Sequence, residues 1–161
     1  QEVTAWEVVN RYSQADLARI IHTYGEEHRA GRIAREIVES RPIDTSLQLA
    51  QVVARAARQP WSRIHPATRT FQAIRIEVNR ELENLELALR QAICLLARDG
   101  RIVVISYHSL EDRLVKNFFR EESREAKNIR LVTKKVISPS HEEVRINRRS
   151  RSARMRVAER I

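Results

Sequence analysis

The stretch Arg101–Arg113, RIVVISYHSLEDR, decides how the rest of the chain is read. Ile102, Val103, Val104 and Ile105 form a continuous apolar run, led in by Asp99-Gly100. A run of this length bounded by turn residues predicts a strand buried on both faces, as in a parallel sheet. It stops at Ser106-Tyr107-His108, and Ser109 then stands where a helix N-cap is expected, its hydroxyl accepting from a backbone N–H near Asp112. Glu111 and Asp112 suit the positive end of that helix. Polar side chains therefore converge past the carboxyl end of a buried strand, where open α/β sheets place their ligands. The same residues would also make a well-capped corner and nothing more.

Downstream, Leu114, Val115, Phe118 and Phe119 continue the helix with an apolar face, and a polar run from Arg120 to Asn128 ends it. Ile129–Ile137 reads as a second strand broken by Pro139. Ser152–Arg160 reads as a third, with Ala153, Met155 and Val157 on one side. Two such strands joined by a loop predict an antiparallel edge pair. Between them runs Arg145-Ile146-Asn147-Arg148-Arg149-Ser150-Arg151-Ser152, with no acid within it. A solvated basic loop is one reading. Contact with an RNA backbone, through Asn147, Arg148, Arg149 and Arg151, is the reading preferred.

Upstream, an apolar stretch from Leu85 to Ala97 leads into the central strand, and a helix is expected to begin near Pro66 with Phe71, Ile74, Val78 and Leu82 at helical spacing. Arg69, Gln72 and Arg75 recur every three residues and share a face of it. That face is either solvated or, with two guanidiniums around an amide, suited to a phosphate or a base edge. Pro60-Trp61-Ser62-Arg63-Ile64-His65-Pro66 is the clearest break in the chain, placing a helical subdomain at 1–64 and the sheet-bearing part at 65–161. Within the first part, Thr4 and Ser13 are expected to cap two helices, and Gly25 to stop the second. A third helix spans about Glu26–Arg41 with Gly31 inside it and ends at Pro42. Thr45 or Ser46 caps a fourth, with Leu47, Leu49, Val52 and Val53 inward.

The 161 residues suffice for one modest domain or pieces of two, and 42% of them are hydrophobic, compatible with a packed core. No apolar run approaches membrane-spanning length, and no secretory pattern precedes the first helix, so a cytosolic protein without a membrane partner is expected. Cys94 lies in the apolar run Ala92–Ala97 without metal-ligand neighbours in sequence, which predicts a core thiol and no metal site. The net charge is +9, and all but four of the 30 basic residues are arginine. Arginine's planar fork favours phosphates and base edges, although a codon bias would give the same composition. The chain opens on Gln1 rather than Met, which points to a fragment.

Three blocks carry a resemblance. Tyr107-His108-Ser109-Leu110-Glu111-Asp112-Arg113 resembles the SFHSLEDR signature of the 16S rRNA cytosine-N4 methyltransferases of the RsmH/MraW type. His65-Pro66-Ala67-Thr68-Arg69-Thr70-Phe71-Gln72-Ala73 is similar to the HPATRTFQA motif of that family, and Asn147–Arg160 to its closing segment. Two departures stand out: Arg98-Asp99-Gly100 where the family more often has Pro-Gly-Gly, and Arg148 where it often has Pro.

The resemblance implies an α/β fold, helix-rich overall. It consists of a helical substrate-recognition subdomain followed by the closing part of a Rossmann-like methyltransferase sheet, with one buried strand and an antiparallel edge pair. It implies S-adenosylmethionine as methyl donor and 16S ribosomal RNA or the small ribosomal subunit as partner. Methylating a cytosine amine requires the donor in line, a proton removed from the nitrogen and the base held out of the stack. His108, Ser109, Glu111 and Asp112 are the candidate catalytic group, Tyr107 a stacking platform and Arg113 a phosphate contact. Arg69, Gln72, Arg75 and the Asn147–Arg151 residues are candidate RNA contacts. No donor-binding candidate is present: Gly25, Gly31 and Gly100 do not cluster, and the family carries its glycine-rich motif in a preceding part. A fragment inactive without that half is thus expected, one that dimerises or associates with the missing half. The alternative is a non-enzymatic RNA-binding helical module with a basic C-terminal loop.

Overall fold

The computed structural model describes residues 3–57 and 65–161, which form two compact units, up to Glu81 and from Leu82 onward. The expected connector at Pro60–Ile64 lies outside the described residues. The compact first unit runs past it and takes in the helix that carries the His65–Asn79 block. Among the described residues no helix is long and apolar enough to cross a membrane.

The first unit is built from α1 (Ala5–Arg11), α2 (Gln14–Gly25), α3 (Ala30–Glu39), α4 (Ser46–Ala57) and α5 (Thr68–Asn79). Local chemistry sets their starts. Thr4 and Glu7 exchange bonds as a capping box, Ser13 accepts from the Asp16 amide at 3.1 Å, and Thr45 accepts from the Gln48 amide at 3.2 Å. Leu17, Ile20, Ile21, Ile33, Ile37 and Val53 are fully buried at its centre. Leu47, expected inward, is 67% exposed, because α4 turns Leu49, Val52 and Val53 to the core instead. The third helix is shorter than expected, and Gly31 falls in its first turn with open space around it.

Arginines finish these helices. Arg41 Nε and Nη2 donate to the carbonyls of Val9 and Tyr12 at the end of α1, at 2.8 and 2.6 Å. Arg29 donates to the Ala57 carbonyl at the end of α4. Terminal carbonyls without an intrahelical partner are met in this way. At the end of α2 the left-handed residue is Glu26, φ 49°, and not Gly25. Gly25 is required for another reason: a Cβ there would stand 2.7 Å from the Arg69 carbonyl oxygen, so its bare backbone lets α5 come close.

The second unit holds α6 (Glu81–Leu95) from Leu82 on, β1 (Arg101–Ser106), α7 (Ser109–Glu121), β2 (Ile129–Leu131), α8 (His141–Ile146) and β3 (Arg154–Arg160). The sheet is three-stranded and antiparallel in the order β1-β3-β2, so the expected antiparallel pair is present with the Arg101–Ser106 strand joined to it. β2 is shorter than predicted, and Ile137 rejoins β3 by a single bridge to Met155. Side chains alternate across the sheet. Ile102, Val104, Ile129 and Ala158 face α6 and α7, packing with Leu89, Ile93, Val115, Phe118 and Phe119. Val103 and Ile105 face the other way and are 55% and 53% exposed. The strand is therefore not buried on both faces in this chain. It is an edge strand with one face covered, because β3 is its sole partner among the described residues. Cys94 is exposed rather than in the core, since α6 presents Leu89 and Ile93 to the sheet.

Candidate functional site: the corner after β1

β1 delivers its last residue, Ser106, into the interior, where its hydroxyl donates to the Arg154 carbonyl at 3.3 Å. The chain then turns through Tyr107 and His108 into α7. The N-cap is His108, not Ser109. Its Nδ1 accepts from the Glu111 amide at 3.3 Å, and the Glu111 carboxylate accepts from the amides of Tyr107 and His108 at 2.9 and 3.3 Å. An imidazole here does what Ser or Thr does in the usual capping box, and Ser109 becomes the first helical residue. The carboxylate also lies 3.3 Å from His108 Nε2. Burial pushes the Glu111 carboxyl up, but the His108 ring and the two turn amides outweigh it and hold it below the usual range.

Asp112, in the same first turn, is 6% exposed. Its carboxylate takes a two-pronged bond from Arg156, Nε at 2.7 Å and Nη2 at 3.1 Å, and a third from Arg154 Nη1 at 3.2 Å. Arg156 foremost, then Arg154, lowers the pKa of this acid against the opposing effect of its burial. Arg154 and Arg156, two apart on β3, fall on one face of the strand. Sequence reasoning did not single them out. The period-two spacing was visible, but the partner is 42 and 44 residues away in the chain. A second carboxylate, Glu159, sits between Arg101 of β1 and Arg130 of β2 and receives a bond from each. Arg101 foremost, then Arg130, depresses its pKa.

What the corner leaves outward is Tyr107, 57% exposed beyond the end of β1, with Arg113 exposed on α7. The 147–152 segment, predicted as a loop, is a short helical turn: Asn147 accepts from the Arg149 amide at 3.1 Å, and Ser150 donates to the Asn147 carbonyl at 2.8 Å. Arg148, Arg149 and Arg151 project from it exposed, and among the described residues none of them makes an ion pair.

The other candidate face, on α5 in the first unit, is engaged with its own fold. Gln72 Nε2 donates to the Tyr24 carbonyl at 3.0 Å, Arg69 reaches the Glu26 carbonyl and the Glu27 carboxylate at 3.4 Å, and Arg75 grips Glu81 through two bonds of 2.7 and 3.0 Å. Gln72 and Arg75 also border an open groove of about 390 Å³ with His65, Thr68 and Phe71.

The family model described as the MraW methylase family matches residues 1–161. The ribosomal RNA small subunit methyltransferase H of Dehalococcoides mccartyi (strain ATCC BAA-2266 / KCTC 15142 / 195) is 51% identical over 175 residues, covering 100% of this chain and 50% of that protein. The protein of the same name from Persephonella marina is 54% identical over 166 residues, with 100% and 56% covered. That from Kosmotoga olearia is 55% identical over 164 residues, with 99% and 54% covered. The chain spans about half the length of the curated relatives it matches.

Proposed function

The chain belongs to the MraW methylase family, and from that membership we infer that it forms the closing half of a methyltransferase acting on small-subunit ribosomal RNA, at N4 of a cytidine, with S-adenosylmethionine as donor. The observation that carries this reading is the identity of about half the residues, over the whole chain, with relatives named as ribosomal RNA small subunit methyltransferases.

The donor itself does not fit the described residues of this chain. Gly25 lies against the Arg69 carbonyl and Gly100 against the Ala97 carbonyl, Gly31 stands alone on α3, and no glycine-rich turn follows a strand. The residues present serve the RNA side. Tyr107 offers a ring for a base turned out of its stack, and Arg113 a nearby cation for a phosphate. Arg148, Arg149 and Arg151 are exposed cations suited to the backbone. Glu111 and Asp112 hold the turn that carries Tyr107, and His108 and Ser109 begin its helix. On this reading His108 acts by holding the turn rather than by taking the amine's proton, because its Nδ1 accepts from the Glu111 amide and its Nε2 faces the Glu111 carboxylate at 3.3 Å. Residues 1–64 form the substrate-recognition subdomain, and Arg69, Gln72 and Arg75 meet RNA from α5 while they brace it. The protein works in the cytoplasm. The open sheet face, with Val103 and Ile105 exposed, and the free edge of β1 suit association with the other half of the enzyme.

Calorimetric titration of S-adenosylmethionine into the purified chain is expected to show no binding. Mixing the chain with the complementing half of the Dehalococcoides relative is expected to restore donor binding and transfer of labelled methyl to 16S RNA. Stoichiometric donor binding by the chain alone, or a stable mixture without transfer, would count against this reading.

A further inference from the structure

Ser106, Tyr107 and His108 are anchored at three points within the second unit. Ser106 bonds β3 through its hydroxyl, the Tyr107 and His108 amides bond Glu111, and Asp112 bonds Arg154 and Arg156. The first two anchors are local or single bonds. The third joins the first turn of α7 to β3 through a buried carboxylate that accepts three charge-assisted bonds, two of them from one guanidinium. Arg156 is itself nearly buried, its side chain 12% exposed, while Arg154 is about half exposed at 46%. A fork-on-carboxylate contact fixes orientation as well as distance, which a lysine cannot reproduce. Swinging α7 about the sheet would carry His108 and Glu111 with it and redirect the Tyr107 ring.

Resting on the function proposed above, we propose that Arg156 of the C-terminal strand is a positioning residue for methyl transfer: through Asp112 it sets the aim of the Tyr107–Glu111 turn without touching the substrate. Arg154 is its weaker, more exposed second. The last block of the sequence is then part of the reactive corner.

The first readout is amide hydrogen exchange on this chain by NMR. In Arg156→Met the Tyr107 and His108 amides are expected to exchange about tenfold faster, while those of Phe118 and Phe119, on the same helix, change little. Asp112→Asn, which keeps the shape of the side chain, is expected to do the same more mildly. Unchanged exchange at Tyr107 and His108, or an equal rise across the whole unit, overturns the proposal.

The second readout is methyl transfer by the chain reconstituted with its complementing half. Arg156→Met is expected to lower kcat about tenfold with KM for RNA within about twofold, and Arg156→Lys to recover only part of the loss. A raised KM with unchanged kcat would make Arg156 an RNA contact and overturn the proposal. If the unaltered pair transfers no methyl group, the proposed function fails, and the exchange measurement still decides the anchoring.

Discussion

The arginines of the helical unit and those of the 148–152 turn are the same residue in opposite employment. Arg29, Arg41 and Arg69 end helices by donating to terminal carbonyls, and Arg75 grips Glu81. Arg148, Arg149 and Arg151 point outward without an ion pair among the described residues. Between these extremes stand the clamp arginines of the sheet, Arg154 and Arg156 on Asp112, and Arg101 and Arg130 on Glu159. A high arginine content is therefore no measure of RNA-binding capacity by itself. Arg29, Arg41, Arg69, Arg75, Arg101, Arg130, Arg154 and Arg156 are already committed to internal carbonyls and carboxylates.

The comparison is sharpest where removal costs most. Asp112→Ala leaves the nearly buried Arg156 without its carboxylate, and a loss of about 3 kcal/mol is expected in the second unit. Chemical denaturation followed by resolved NMR signals of each unit checks this, and signals of the first unit should hold their midpoint. Arg41→Met removes two bonds from the end of α1 and should cost about 1.5 kcal/mol, confined to the helical unit in the same experiment. Equal effects on both units would break the distinction between them.

Acid provides a smaller and graded test. Asp112, Glu111 and Glu159 all have pKa values lowered in the folded chain. Their contribution is then fully present above the ordinary carboxyl pKa of about 4 and is lost as pH falls through the lower folded values. The second unit should unfold in acid before the first. Asp112→Asn, already weakened at neutral pH, should lose less on acidification. Smallest of all on stability is the pair Arg149→Ser with Arg151→Ser, expected within about 0.5 kcal/mol of the unaltered chain. On the proposed function its effect belongs to RNA affinity, where the salt dependence should flatten by about one unit of slope for each phosphate that is no longer neutralised. A large stability loss in this pair would place these arginines with the clamps.

Local signals in the sequence were reliable where the chemistry is local. Thr4 and Ser13 cap because their partners lie three residues on, and the third strand follows from its alternation. Gly25 was legible as special, yet for the wrong cause, since the close approach of Arg69 is a contact between helices. Leu47 and Cys94 were misplaced because a helix of mixed composition has more than one plausible apolar face, and packing partners choose between them.

The sequence alone thus determined the family blocks, most of the helices, the strand at Ile102–Ile105 and the exposed basic tract. These depend on residues near one another in the chain. Tertiary structure decided that Asp112 answers to Arg156, that Arg69 and Gln72 close α2, and that Val103 and Ile105 stand open. Each depends on which distant segment arrives at the free lone pair, carbonyl or strand face, and no spacing along the chain records that.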